Sequence, residues 1–203
     1  MTFTDDPHSL PEMRAMAMAL LKEDMEGAYL WGKKAEIQAS AVYTRFTGGI
    51  NEFVTTNRID MDGGIAFGDV GYLMSVFTSY GGDRKVWLCG RDARQQLDGV
   101  GLEFRRITGE AKKLGFSVDG FKTSAGSAMV TTHLGLSNAY AGHIIVVDPA
   151  HARIAQLRKV KTVKNVQTPG TDGEEHYSMG ENGLWTDQEL AHGIVYNVTK
   201  KLV

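Results

Sequence analysis

The chain has 203 residues, 42% hydrophobic and 23% charged, which excludes disorder as its dominant state and allows a core without a metal or disulfide staple. Its 22 Lys and Arg against 24 Asp and Glu leave a net charge of -2, so bulk attraction to nucleic acid or an anionic membrane is not expected. The single cysteine, Cys89, excludes an internal disulfide and any CxxC motif. No run approaches the roughly 18 apolar residues of a membrane span, and the acidic start MTFTDDPHSLPEM is unlike a secretory signal, so a soluble, cytoplasmic protein is expected.

Ser9 and Glu12 have capping-box spacing, and Pro11 stands where a helix's first turn tolerates it. Leu10, Met13, Ala17, Leu20, Asp24, Ala28 and Trp31 then recur every three or four residues, with only Asp24 polar, which predicts one long helix over 10–32 ended by Gly32. Residues 41–68 are rich in Thr, Val and aromatics and are cut by Gly48-Gly49 and Gly63-Gly64; extended structure with loops is expected. Residues 69–82 predict a helix with Val70, Leu73, Phe77 and Tyr80 on one face, 85–90 a short buried strand, and 91–109 a second helix with Ala93, Leu97, Val100, Phe104 and Ile107 together. From Leu114 the period falls to two, through Phe116 and Val118 towards Phe121. HIIVVDP (143–149) reads as a strand buried on both faces. A basic run (153–164) follows, then QTPGTDG as a loop or lobe boundary, an acidic stretch (172–189), and a closing strand GIVYNV (193–198). The order is that of an α+β protein, and its 24 glycines imply many turns or close backbone approaches.

Tests for chemistry return bland readings. GAYLWGKK (27–34) matches G-x4-G-K but has Lys34 where magnesium needs Ser or Thr, and it closes a helix, whose carbonyl end repels phosphate. Asp60, Asp62 and Gly63 resemble a calcium loop, yet position twelve is Gly71 rather than a bidentate glutamate, so a charged turn is expected. His8, His133, His143, His151, His176 and His192 show no metal-ligand spacing, and Cys89 in a strand reads as a small buried hydrophobe. In the basic run Arg153, Arg158, Lys159, Lys161 and Lys164 alternate with Ile154, Leu157, Val160 and Val163, so half of it is expected to face a core. No catalytic residue, cofactor-binding residue or metal ligand is expected.

Three stretches together carry a resemblance. Asp24, Glu26 and Trp31-Gly32 in the long helix are followed by Arg45, Gly48-Gly49-Ile50 and Thr56-Asn57; HIIVVDPAHARIAQLRKV and GENGLWTDQELAHGIVYNV come later in matching order. The chain resembles the tailed-phage major capsid proteins with the Hong Kong 97-type fold across most of residues 13–200. The resemblance implies an α+β fold with a long spine helix, a peripheral β-sheet domain and an axial α/β domain. Mapped here, 1–64 form the spine helix and first part of the peripheral domain, 65–160 the axial domain, and 161–203 the returning peripheral strands. Family members carry an N-terminal arm and an extended loop before the spine helix, which this chain reaches by about residue 10.

The resemblance implies a structural, non-enzymatic major capsid protein in an icosahedral shell around double-stranded DNA. Its partners would be neighbouring capsid subunits in pentamers and hexamers, with non-specific contact to packaged DNA and no membrane. It would reside in the virion after assembly in the host cytoplasm. A shell of the encapsulin type, enclosing cargo enzymes, is the near alternative; a soluble α+β nucleotide-binding enzyme with its ligand near Gly27–Lys34 is the distant one. Met13, Leu21 and Met25 on the helix are candidate intersubunit contacts, because one lobe is not expected to hide all its apolar side chains. Arg158 and Lys159 are further candidates, with the acidic stretch as their counterpart within or between chains.

Overall fold

A computed structural model of the chain describes residues 10–39, 42–108, 120–164, 166, 170 and 176–199. Contacts divide the chain into two units, Met1–Gly49 with Ile154–Leu184 and Ile50–Arg153 with Trp185–Val203.

The first unit opens with α1 (Leu10–Trp31), the long helix expected from the spacing. Gly32 ends it for a steric reason. A Cβ there would meet Thr47 O at 2.6 Å, and one on Gly49 would lie 2.7 Å from both Gly32 N and Leu30 C. The turn at 47–49 therefore crosses the helix end backbone to backbone, closed by Gly49 N–H donating to Gly32 O at 2.8 Å. Between the two glycines runs a hairpin of β1 (Ala35–Ala39) and β2 (Val42–Phe46), antiparallel with Ile37 opposite Thr44. The other part is a ribbon of β8 (Ala152–Val163) and β9 (Tyr177–Thr186). Its cross-strand contacts, Thr162 with Ser178 and Val160 with Gly180, run in opposite directions along the two strands, so the ribbon is antiparallel.

The second unit holds a six-stranded sheet in the order β3 (Arg58–Gly63), β10 (Gly193–Val198), β7 (Ile144–Val147), β4 (Arg84–Cys89), β6 (Gly126–Thr132), β5 (Gly120–Thr123). The β3–β10 and β4–β6 pairs are parallel and the others antiparallel. The short α2 (Ile50–Phe53) precedes β3, while α3 (Phe67–Thr78) and α4 (Arg91–Thr108) flank β4 in sequence. In α3 the Asp69 carboxylate accepts the Ala66 N–H at 2.8 Å, satisfying a donor left open by the helix start. Val70, Leu73, Met74 and Phe77 form its buried stripe and join Trp87, Cys89, Ala93, Leu97, Ile144, Val146 and Val195 in one core. Each such large side chain contributes roughly 1.5–3 kcal/mol by leaving water. Trp87 meets Phe77 edge-on with centroids 6.4 Å apart.

The expected strands at 85–90, 143–149 and 193–198 and the helix at 91–109 are present as β4, β7, β10 and α4. Tyr80 departs from expectation. The helix stops at Thr78, where the Thr78 and Ser79 hydroxyls donate to the Met74 and Ser75 carbonyls and Gly81 turns left-handed (φ 77°), so Tyr80 lies beyond it and half exposed. Within 41–68 the extended structure is interrupted by α2, because Val54 N–H closes onto Ile50 O and Arg58 caps the turn at Asn51 O and Val54 O. The basic run also departs. Ile154 is 51% and Leu157 83% exposed, because β8 pairs with β9 alone. The period-two pattern over Leu114, Phe116 and Val118 lies outside the described residues, as do the side chains of Phe104 and Ile107 and most of QTPGTDG. The closing strand β10 lies inside the six-stranded sheet, between β3 and β7.

Candidate assembly surface

The two units differ in what they bury. Among the described residues the first unit contributes one buried hydrophobic side chain, Leu30, and the second contributes all the others. Of the eighteen large exposed hydrophobics among the described residues, eleven belong to the smaller first unit, among them Met13, Met16, Leu20, Tyr43, Phe46 and Leu157, and seven to the second, among them Met129 and Leu134.

The geometry of α1 explains the bias. Its inner row is Arg14, Met18, Leu21 and Met25, at intervals of four, three and four. Arg14 Nη2 donates to His176 Nε2 at 2.6 Å beside β9, and Met25 Sδ lies 4.0 Å from Asn182 Nδ2. Along this side a groove of about 590 Å³ is lined by Leu21, Thr162, Lys164, His176 and Ser178. Ala17 and Leu20 also line this groove, with Leu20 61% exposed at its rim, and the outer row is Met13 and Met16, 51% and 53% exposed. The helix is thus apolar on two sides and the chain covers one. Met13 stands on the outer side, while Leu21 and Met25 stand on the inner side, half-buried.

On the ribbon, Arg158 Nε lies 3.4 Å from Glu181 Oε2, with both side chains exposed (61% and 41%), and Lys159 is exposed beside it. Solvent screening limits such a pair to about 0–1 kcal/mol. A second groove of about 950 Å³ runs between β2 and the ribbon, with Tyr43, Phe46, Leu157 and Glu181 in its lining.

The second unit contains a buried polar cluster that sequence reasoning missed. Lys85 and Asp148 are each 1% exposed and His192 is sealed from solvent. Lys85 Nζ donates to Asp148 Oδ2 (2.8 Å), Tyr80 O (2.9 Å) and Ala191 O (3.0 Å), using all three ammonium protons. Asp148 also accepts Gly82 N–H at 2.7 Å and Ala150 N–H at 2.9 Å. Burial pushes its carboxyl up, but these donors and the Lys85 charge outweigh it and hold the carboxyl below its ordinary range. His192 Nδ1 accepts the Asp148 N–H at 3.2 Å, which requires a neutral ring, and burial lowers its proton affinity accordingly. One signal was available: Lys85 shares the period-two face of Trp87 and Cys89.

The same region unites two motifs read separately in the sequence. Glu189 Oε1 accepts the Thr55 N–H and Thr56 N–H at 2.6 Å each, and these bonds hold its carboxyl below the usual range. Asn57 Nδ2 donates to Leu190 O at 2.8 Å and His192 O at 3.1 Å, while Ile194 N–H donates to Asn57 O. These bonds seat β10 beside β3. Their work is structural.

The readings that pointed away from chemistry can be placed. Lys33 and Lys34 follow the C-terminus of α1, whose carbonyls face away from any anion site. Asp60 and Asp62 lie within β3 rather than in the expected turn: Asp60 Oδ1 accepts Asp62 N–H at 3.1 Å and Asn197 Nδ2 at 2.9 Å where the β3–β10 register shifts, and Asp62 is left-handed there (φ 42°). Burial pushes the Cys89 thiol up to about 12, too high to serve as a nucleophile near neutral pH. Among the described residues no three His, Cys, Asp or Glu side chains converge as metal ligands, and no helix is long and apolar enough to cross a membrane.

Comparison with known proteins finds both a family and similar solved structures. A family model described as SU10 major capsid protein matches residues 8–199. Among solved structures, the chain is similar to one described as the holo-SrpI encapsulin complex from Synechococcus elongatus PCC 7942. The two share 13% identity and a TM-score of 0.50 over 97% of this chain and 69% of that one. That likeness establishes the Hong Kong 97-type fold. No curated protein matches.

Proposed function

Since the chain belongs to the SU10 major capsid protein family, a family of structural capsid proteins, we propose that its copies close into an icosahedral shell around double-stranded DNA. The carrying observation is the asymmetry between units: a second unit with a complete core, and a first unit that leaves most of its apolar side chains open. The helix, hairpin and ribbon would then be the peripheral domain and the six-stranded sheet with its helices the axial domain. Pentamers and hexamers, assembled in the host cytoplasm, would be built from neighbouring copies, and contact with packaged DNA would be non-specific. The protein would perform no catalysis.

Intersubunit contact is assigned to Met13, Leu21 and Met25 on α1 and to Arg158 and Lys159 on β8. Leaving two or three such Met or Leu side chains in water forgoes roughly 1.5–3 kcal/mol each, large against a domain stability of about 5–15 kcal/mol. The test is light scattering with the absorbance ratio of purified particles: the reading requires megadalton particles, nucleic-acid-rich when taken from virions. Because the fold is shared with an encapsulin, a shell filled with protein cargo is the second reading, and nucleic-acid-free particles from every source would favour it. A monomer-to-tetramer that binds ATP at micromolar affinity, lost in Lys33→Ala, would overturn both.

A further inference from the structure

The two outer surfaces of the first unit are opposite in charge. Thr162, Lys164, His176 and Ser178 face α1 along the shared groove, so positions 157, 159 and 161 of β8, and 177 and 179 of β9, point to the other side by strand alternation. That side presents Leu157 at 83%, Tyr177 at 46% and Met179 at 47% exposure, with exposed Lys159 and Lys161 among them. The outer side of α1 presents Met13 and Met16, bordered by exposed Glu12, Glu23 and Glu26. One apolar strip is edged by carboxylates and the other by ammonium groups. They lie on opposite sides of one helix-on-ribbon layer, so neither can cover the other within a chain.

Resting on the shell reading above, we propose that the outer face of the β8–β9 ribbon in one copy docks on the outer face of α1 in the next. The contact is head-to-tail: two different patches meet, and each copy keeps one free patch for a further neighbour. Heterologous contacts of this kind close into rings when the rotation allows, whereas a self-complementary patch stops at a dimer. The apolar strips supply the attraction, and the flanking charges fix register and reject like-with-like pairing of either face.

Cysteine trapping tests the pairing directly, because Cys89 is buried and does not compete. Met13→Cys and a size-tagged Leu157→Cys are assembled separately and mixed, then oxidised mildly; Met16→Cys with Met179→Cys is the second pair. The proposal predicts mixed disulfide dimers about tenfold above either homodimer. It also predicts that Lys159→Glu with Lys161→Glu raises the concentration needed for assembly about tenfold, and that Glu23→Lys with Glu26→Lys added to that variant restores it. Particles that form normally, with neither pair trapped or with homodimers dominant, would overturn the docking and leave the shell reading intact. Absence of any particle from the unmodified chain would remove the shell reading and the docking with it.

Discussion

Lys85 and Asp148 meet 2.8 Å apart at the end of the central sheet, both nearly sealed from water and each fully engaged by further hydrogen bonds. A pair so placed stabilises only while complete, since either charge alone would be buried without a partner. Lys85→Met and Asp148→Asn should each lower stability by about 3–5 kcal/mol. Urea unfolding followed by far-UV circular dichroism measures this, and a loss under about 1 kcal/mol would mean that water compensates the orphaned charge.

His192 predicts an acid limit. Its ordinary value is 6.5 and burial lowers it in the folded chain; His143 is lowered in the same direction by burial and by Arg58. The unfolded chain therefore binds more protons below about 6.5, so this stability is full above that pH and is lost as pH falls. The Asp148 carboxyl is held below 3.8, so its contribution persists to lower pH and fades beneath that value. Urea midpoints should fall from pH 7.5 to about 5, and His192→Gln should flatten the slope. An unchanged slope would assign the acid sensitivity to other groups.

Two glycines should respond with opposite signs. A Cβ on Gly49 would lie 2.7 Å from Gly32 N and Leu30 C, backbone atoms that cannot move aside, so Gly49→Ala should destabilise by about 1–3 kcal/mol. Gly71 in α3 has nothing within 4 Å of its Cβ position, and Gly71→Ala should stabilise the isolated chain by about 0.4–1 kcal/mol. Thermal melts of the two variants under non-assembling conditions decide it; equal shifts would refute the close crossing at the end of α1.

Cys89 should be silent to thiol reagents. It is fully buried, and its thiol is raised to about 12. Reaction with a chromogenic disulfide at pH 8 should need unfolding and follow the urea transition. Prompt labelling of the native protein would show that β4 opens far below the global unfolding free energy.

Helix α1 and the apolar strands were legible because spacing alone writes them: the 10–32 period and the HIIVV run need no distant partner to be read. The glycine pairs were legible as motifs but not as geometry, since the crossing of Gly32 and Gly49 appears only when a turn fifteen residues away returns to the helix. The β8 expectation failed for a related reason. Alternation implies a buried face, but which face is buried depends on what packs there, and among the described residues nothing buries Ile154 or Leu157. Lys85, Asp148 and His192 were missed because their sequence neighbours are apolar or turn-forming, and their chemistry exists only across 63 and 44 residues of separation.

Electron microscopy of the purified chain at rising concentration and salt tests the central claim most directly. The account predicts closed particles of uniform diameter at low ionic strength, fewer of them as salt screens the Arg158 and Lys159 charges, and fewer still for Arg158→Glu with Lys159→Glu. A field of discrete monomers to tetramers under all conditions, with circular dichroism showing an intact fold, would contradict it.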